Sequence, residues 1–246
     1  MPPRSQHRVA LVTGAAGQIG ARLVEHFTEA GYAVVGVDQA DGDGILGCDI
    51  TDSHAVRVTV DRVLAEHGRI DVLVHNAGVS AIGRFEDHDV ATHERVMAVN
   101  HLGPVTLTQA ALPALRAARG RIVVIGSVAG FAPVLGRPAY AASKHAVTGL
   151  FEALRPELAR DGVGVTLVHP TFVTGGMSEA ADRAAGRGRA TTGARVTPDD
   201  VAAAVLEAVQ RGRDRVLVGR TARLSWHLNR LAPRLYVRLM TRRLED

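Results

Sequence analysis

The chain has 246 residues, 46% of them hydrophobic and 22% charged, with a formal net charge of +4, an ordinary globular mix long enough for one large α/β domain. Aromatic residues make up only 4% and none interleave with the arginines as stacking platforms, which argues against a nucleic-acid partner. The single Cys48 excludes an intramolecular disulfide, no His/Cys cluster has metal-ligand spacing, and nothing approaches the roughly 18 apolar residues of a spanning helix, so a metal-free cytoplasmic protein is expected.

Short β-branched runs then alternate with Ala-, Leu- and Arg-rich amphipathic stretches. The strand candidates are "RVALVT" (8–13), "AVVGVD" (33–38), "DVLVHN" (71–76), "RIVVIGS" (121–127), "VGVTLVH" (163–169) and "DRVLVG" (214–219). Helix-length segments fall at 18–30, 53–67, 89–118, 140–160 and 198–211. Strands this apolar are buried on both faces, so the pattern predicts a doubly wound parallel sheet of Rossmann type, a single domain with helices on both faces. Between Asp38 and "ILGCDIT" lies only "QADGDG", too short for a crossover helix, so "ILGC" is expected as a short, poorly covered edge strand. Residues 174–197, rich in Gly, Ala and Arg, follow a strand's carboxyl end and read as a candidate lid. The chain divides into a dinucleotide-binding and catalytic domain, 1–219, and an amphipathic basic extension, 220–246.

The first turn, "TGAAGQIG", places Gly14, Gly17, Gln18, Ile19 and Gly20 between a strand and a helix. Backbone amides there can face a pyrophosphate, and missing Cβ atoms permit close approach. Asp38 ends the second strand, 18 residues after Gly20. A carboxylate there accepts the adenosine ribose hydroxyls and repels a 2′-phosphate, which points to NAD. "HNAG" closes another strand with small residues, Ala77 and Gly78, able to lie against a flat ring.

Lys144 is the only lysine among 29 basic residues. It follows Tyr140 by four positions, which on a helix puts both on one face. A phenol with a pKa near 10 is a poor base at neutral pH, and a neighbouring ammonium lowers that value. Ser127, at the end of the strand before, would polarise the same substrate oxygen.

With these residues in this order the chain resembles the short-chain dehydrogenase/reductase family over residues 8–219. The matching pieces are "TGAAGQIG", "VD" at 37–38, "DI" at 49–50, "NAG" at 76–78, Asn100 in "VNHLG", Ser127 and "YAASK". The resemblance implies that Asn100 holds a water on a proton relay through Lys144. It implies that Asp49 and Ile50 touch the adenine, that Asn76 and Ala77 line the cofactor cleft, and that the strand order is 3-2-1-4-5-6-7. It also implies a homodimer or homotetramer built on the helices at 101–118 and 140–160. Three departures stand out. The family's usual second glycine is Gln18, its Pro-Gly before the nicotinamide is Pro170-Thr171, and its carboxamide-gripping threonine aligns with Gly175. Pro170 and Val173 still match.

The tail "RLSWHLNRLAPRLYVRLMTRRLED" intersperses apolar residues with arginines, and Pro233 divides it in two. It reads as a membrane-surface helix, a cover for the substrate mouth, a subunit contact, or a helix docked on its own domain. The sequence therefore predicts an NAD-dependent oxidoreductase acting on a hydrophobic secondary alcohol or ketone, with Tyr140 as acid/base and oxidation as its direction. The alternatives are an NADPH-dependent reductase of 3-oxoacyl type, which Asp38 opposes, and a non-catalytic dinucleotide-binding scaffold, which would not need Ser127, Tyr140 and Lys144.

Overall fold

Val9, Ala10, Leu11 and Val12 are all fully buried, with Val9 and Leu11 in one core cluster and Ala10 and Val12 in another. That alternation is the period of two of a strand covered on both faces. The computed structural model describes residues 7–175 and 195–241. Its strands are β1 (Val9–Thr13), β2 (Ala33–Asp38), β3 (Ile45–Gly47), β4 (Val72–His75), β5 (Arg121–Ile125), β6 (Gly164–Pro170) and β7 (Arg215–Val218). They form one parallel sheet in the order β3-β2-β1-β4-β5-β6-β7. The order reverses beside β1, and the crevice at that switch point is where such sheets bind ligands.

On one face lie α2 (Ser53–His67), α4 (Gly103–Ala118) and α5 (Pro138–Ala159), which contribute Val60, Leu115 and Phe151 to the first cluster. On the other lie α1 (Gln18–Glu29) and α6 (Pro198–Arg211), which contribute Leu23, Phe27 and Val205 to the second. Local chemistry sets the helix ends. Asp52 accepts from the amides of His54 and Ala55 to start α2, and Gly68, at φ 73°, ends it in the left-handed region. The edge β3 is reached without a helix, by a bridge between Gly42 and Ile45, and Ile45 and Leu46 remain half-buried.

The expected single helix over 89–118 is three pieces: α3 (Val90–Met97), a π turn (Ala98–Leu102) and α4. Pro104 explains the break. In an α-helix its N–H would donate to the Asn100 carbonyl, and proline has none. The Gly103 amide instead donates to Ala98, five residues back.

Beyond β7 the tail forms α7 (Arg220–Leu231) and α8 (Pro233–Thr241). Trp226 fastens it to the domain. Its ring lies between the guanidinium groups of Arg215 and Arg230, 4.2 and 3.8 Å away, and meets Phe131 edge-on. Asn229 donates to the Phe131 carbonyl at 2.8 Å, and the Tyr236 hydroxyl to that of Pro133 at 3.2 Å. Most of the candidate lid, 176–194, lies outside the described residues.

Candidate active site

The first β–α turn folds tightly on itself. A Cβ on Gly20 would stand 1.9 Å from the Gly14 carbonyl oxygen, and one on Gly14, at φ 67°, would meet Ala77 at 2.8 Å. Only glycine allows this approach. Thr13 and Asn76 lock the same corner. The Thr13 hydroxyl donates to the Val74 carbonyl and accepts from the amides of Asn76 and Ala77. The Asn76 side chain donates to the carbonyls of Thr13 and Gly14, both at 3.0 Å. Asn76 thus fixes the cleft wall as well as lining it, and Thr13 is a partner the sequence reading did not single out.

Asp38, at the end of β2, is held by two main-chain donors, Ala16 N–H at 2.9 Å and Gln39 N–H at 2.7 Å. Asp49 accepts from the amide and hydroxyl of Thr51, which turns the chain and places Ile50 beside it.

Ser127 follows β5 and accepts from the Ala129 amide at 3.1 Å. Tyr140 and Lys144 stand one turn apart on α5. The Lys144 ammonium donates to the Ile125 carbonyl at 2.8 Å and lies 5.7 Å from the centre of the Tyr140 ring. Burial pushes the Lys144 pKa down to about 8. Burial pushes the Tyr140 pKa up, against smaller opposing pulls from the Ser127 hydrogen bond and the Arg137 charge. This corrects the expected lowering by Lys144: the ammonium is engaged by a carbonyl, and desolvation of the phenolate dominates. Tyr140 is accordingly a protonated phenol at neutral pH.

Behind these groups lies a buried support that the sequence shows only in part. Asn100 accepts from the Val79 amide at 2.8 Å and donates to the Val79 carbonyl and the Ser143 hydroxyl, both at 2.9 Å. Ser143 in turn donates to the Tyr140 carbonyl. Both ends of the Asn100 amide are engaged, and Pro104 leaves the Asn100 carbonyl without its usual helical donor. His169, fully buried, donates from Nδ1 to the Ser127 carbonyl at 3.0 Å, and burial lowers its pKa to about 4. No spacing in the sequence announces His169, because its partner Ser127 is 42 residues away.

These elements border one cleft of about 1110 Å³. Gly14, Gly17, Gln18, Ile19, Asp38, Asp49 and Ile50 line one end, and Asn76, Ala77, Gly78, Pro170 and Val173 its middle. Ser127, Tyr140 and Lys144 face the same space, and Leu224, Leu228, Tyr236, Leu239 and Met240 from the tail close the far end. Gly20 and Asn100 stand behind the wall.

A model of the short chain dehydrogenase family matches residues 8–186. The chain belongs to the short-chain dehydrogenase/reductase family. It is 33% identical to a dehydrogenase/reductase SDR family protein 7-like of Anopheles gambiae, over 97% of this chain and 83% of that one. It is 34% identical to the dehydrogenase/reductase SDR family member 7B of Danio rerio, over 98% and 87%. Among solved structures it is similar to a short chain dehydrogenase of Burkholderia cenocepacia in complex with NADP, at 27% identity and a TM-score of 0.83, covering 97% of this chain and all of that one. A Streptomyces avermitilis short-chain dehydrogenase gives 27% and 0.80, covering 98% of this chain and 99% of that one. As a family member the chain is an oxidoreductase that takes a nicotinamide cofactor.

The residues present fit such a group: the crowded glycine turn, the pinned carboxylate and the long cleft are compatible with an extended dinucleotide. Two of the chain's departures from the family pattern also meet. A Cβ on Gly175 would stand 2.7 and 3.0 Å from the amide atoms of Gln18, so the larger side chain at 18 lies over the residue that is smaller at 175.

Proposed function

We propose that this protein catalyses hydride transfer between NAD(H) and a hydrophobic secondary alcohol or its ketone. The observation that carries the reading is the composition of one cleft, with a carboxylate at one end, Ser127, Tyr140 and Lys144 within it, and apolar tail residues at the other. The bound nicotinamide supplies the hydride acceptor or donor. Ser127 holds the substrate oxygen by a hydrogen bond, and His169 fixes the Ser127 main chain from behind. Tyr140 carries the proton, donating it in reduction and taking it back in oxidation. Its raised pKa means that oxidation should accelerate with rising pH, because the phenol must first lose its proton. Lys144, with a pKa of about 8, carries positive charge at neutral pH and can still exchange its proton along a relay. Gln18, whose amide lies over Gly175, would help to hold the cofactor, and Leu224, Leu228 and Tyr236 shape the substrate end.

Asp38 favours NAD. Its carboxylate is pinned by two backbone amides and cannot readily swing away from a 2′-phosphate, so a preference over NADP of at least about tenfold, ~1.4 kcal/mol, is expected. The NADP bound by the Burkholderia cenocepacia protein is the specific observation on the side of an NADPH-dependent reductase. Comparing kcat/KM with both cofactors over a panel of secondary alcohols and ketones decides between them. A preference for NADP would sink the NAD reading, and no turnover with either cofactor would sink the enzymatic one.

A further inference from the structure

The inner faces of α7 and α8 are used: Ala222, Ser225, Trp226 and Tyr236 are buried against the domain. The outer faces carry a second pattern. Nine large apolar side chains are well exposed among the described residues, and five of them, Leu224, Leu231, Leu235, Val237 and Leu239, fall within sixteen positions of the tail. Leu231 is 84% exposed and Leu224 65%. The same two helices carry the exposed Arg220, Arg223, Arg230, Arg234 and Arg238, and from Arg220 to Thr241 there is no acidic residue. Among the described residues the ion pairs engage other arginines, and Arg230 stacks on Trp226. A face with this much exposed hydrocarbon and unneutralised positive charge lacks its partner.

We propose that this face docks the protein on an anionic lipid surface, with the mouth of the cleft turned toward the bilayer. Short amphipathic helices with arginines beside leucines suit the interfacial zone, where the apolar side chains enter the acyl boundary and the guanidinium groups meet phosphates and carboxylates. A second copy of the chain suits it poorly, since a two-fold contact would set five arginines against the same five. Among the described residues no helix is long and apolar enough to cross a membrane. Leu224 and Leu239 both line the cleft and are exposed, which puts its rim on the docking face. An apolar substrate dissolved in the lipid would then enter without crossing water. That last step rests on the proposed apolar substrate; the docking itself does not.

The test is co-sedimentation of the full chain with vesicles of phosphatidylcholine alone and of phosphatidylcholine with phosphatidylserine. Binding is expected to the second only, and it should be lost in 1 M salt, where the screening length falls to about 3 Å. R234E/R238E should lower the partition coefficient at least about tenfold, and Leu231→Ser with Leu235→Ser should lower it several-fold. None of these four side chains lines the cleft, so turnover of a small soluble alcohol should not change. Equal binding to both vesicle types, no binding, or wild-type partition by both variants would overturn the proposal. So would a dimer that dissociates on the Leu231/Leu235 change, read by sedimentation equilibrium, without vesicle binding, because the face would then belong to a second copy. Failure to turn over any alcohol would leave the vesicle result standing, so the two readings fail separately.

Discussion

The two ends of the cleft are built by different means. At the cofactor end almost every polar side chain is fixed by main-chain groups: Asp38 by two amides, Asn76 by two carbonyls, Lys144 by one, Asn100 by both polar atoms of Val79. At the substrate end Leu224, Leu228, Leu239 and Met240 supply shape and hydrocarbon, on helices docked through Trp226, Asn229 and Tyr236. Main-chain hydrogen bonds at strand ends resist displacement and position atoms for chemistry. An apolar wall on separately docked helices can change its lining without disturbing them. The contrast gives a rigid reacting end and a replaceable recognition end.

The strongest way to break that contrast is at the fastening. Trp226→Ala should cost about 3–5 kcal/mol of tail docking, seen as lost hydrogen-exchange protection in α7 and α8. KM for bulky substrates should rise while Kd for NAD stays within about twofold. Equal losses in both would mean that the two ends are not separable.

Acid should next expose the rigid end. The buried His75 and His169 have pKa values pushed down to about 3 and about 4 from 6.5. Well above pH 6.5 both rings are neutral in folded and unfolded chains. As pH falls below it, the unfolded chain takes up protons that the folded chain refuses, so stability drops by about 3 kcal/mol per ring by pH 4. Urea unfolding at pH 7 and pH 4.5 measures the drop, and His169→Gln should remove roughly half of it. A pH-independent midpoint would contradict burial of the neutral rings.

Lys144→Arg tests whether the reacting end needs a compact ammonium or only charge. The guanidinium is larger, planar and too basic to exchange its proton, and it would have to replace the ammonium's buried bond to the Ile125 carbonyl. kcat/KM should fall about 10²-fold, ~2.7 kcal/mol, with unchanged circular dichroism. Activity within about fivefold of wild type would show that charge alone suffices. Gln18→Ala should have the smallest effect, weakening NAD about fivefold, roughly 1 kcal/mol, by fluorescence titration. No change would remove Gln18 from the cofactor's contacts.

The same contrast explains what the sequence could show. The strand segments, the glycine turn, Asp38 and the pairing of Tyr140 with Lys144 were legible because each follows from a local period or a short spacing, whereas the strand order came only with the family resemblance. The π turn was not, although Pro104 signals it once the i to i−4 bond is counted. The contact of Gln18 with Gly175 joins positions far apart in sequence, and no local pattern announces it. The phenol's pKa direction depended on how deeply Tyr140 is buried, which spacing does not reveal. The tail's leucines were open to reading as membrane face, cover for the substrate mouth, subunit contact or docked helix until the fold placed Trp226 and Tyr236 inward and Leu224 and Leu239 at the rim.

The central claim, a fixed reacting end joined to an apolar recognition end, is tested most directly by kcat/KM for a homologous series of linear 2-alkanols with NAD. The account predicts a rise of roughly threefold to fourfold for each added methylene until the cleft is filled, since a buried methylene contributes about 0.8 kcal/mol. Tyr140→Phe should abolish turnover across the whole series and leave NAD affinity unchanged. A flat or falling series in the wild-type protein, or measurable turnover by Tyr140→Phe, would contradict the account.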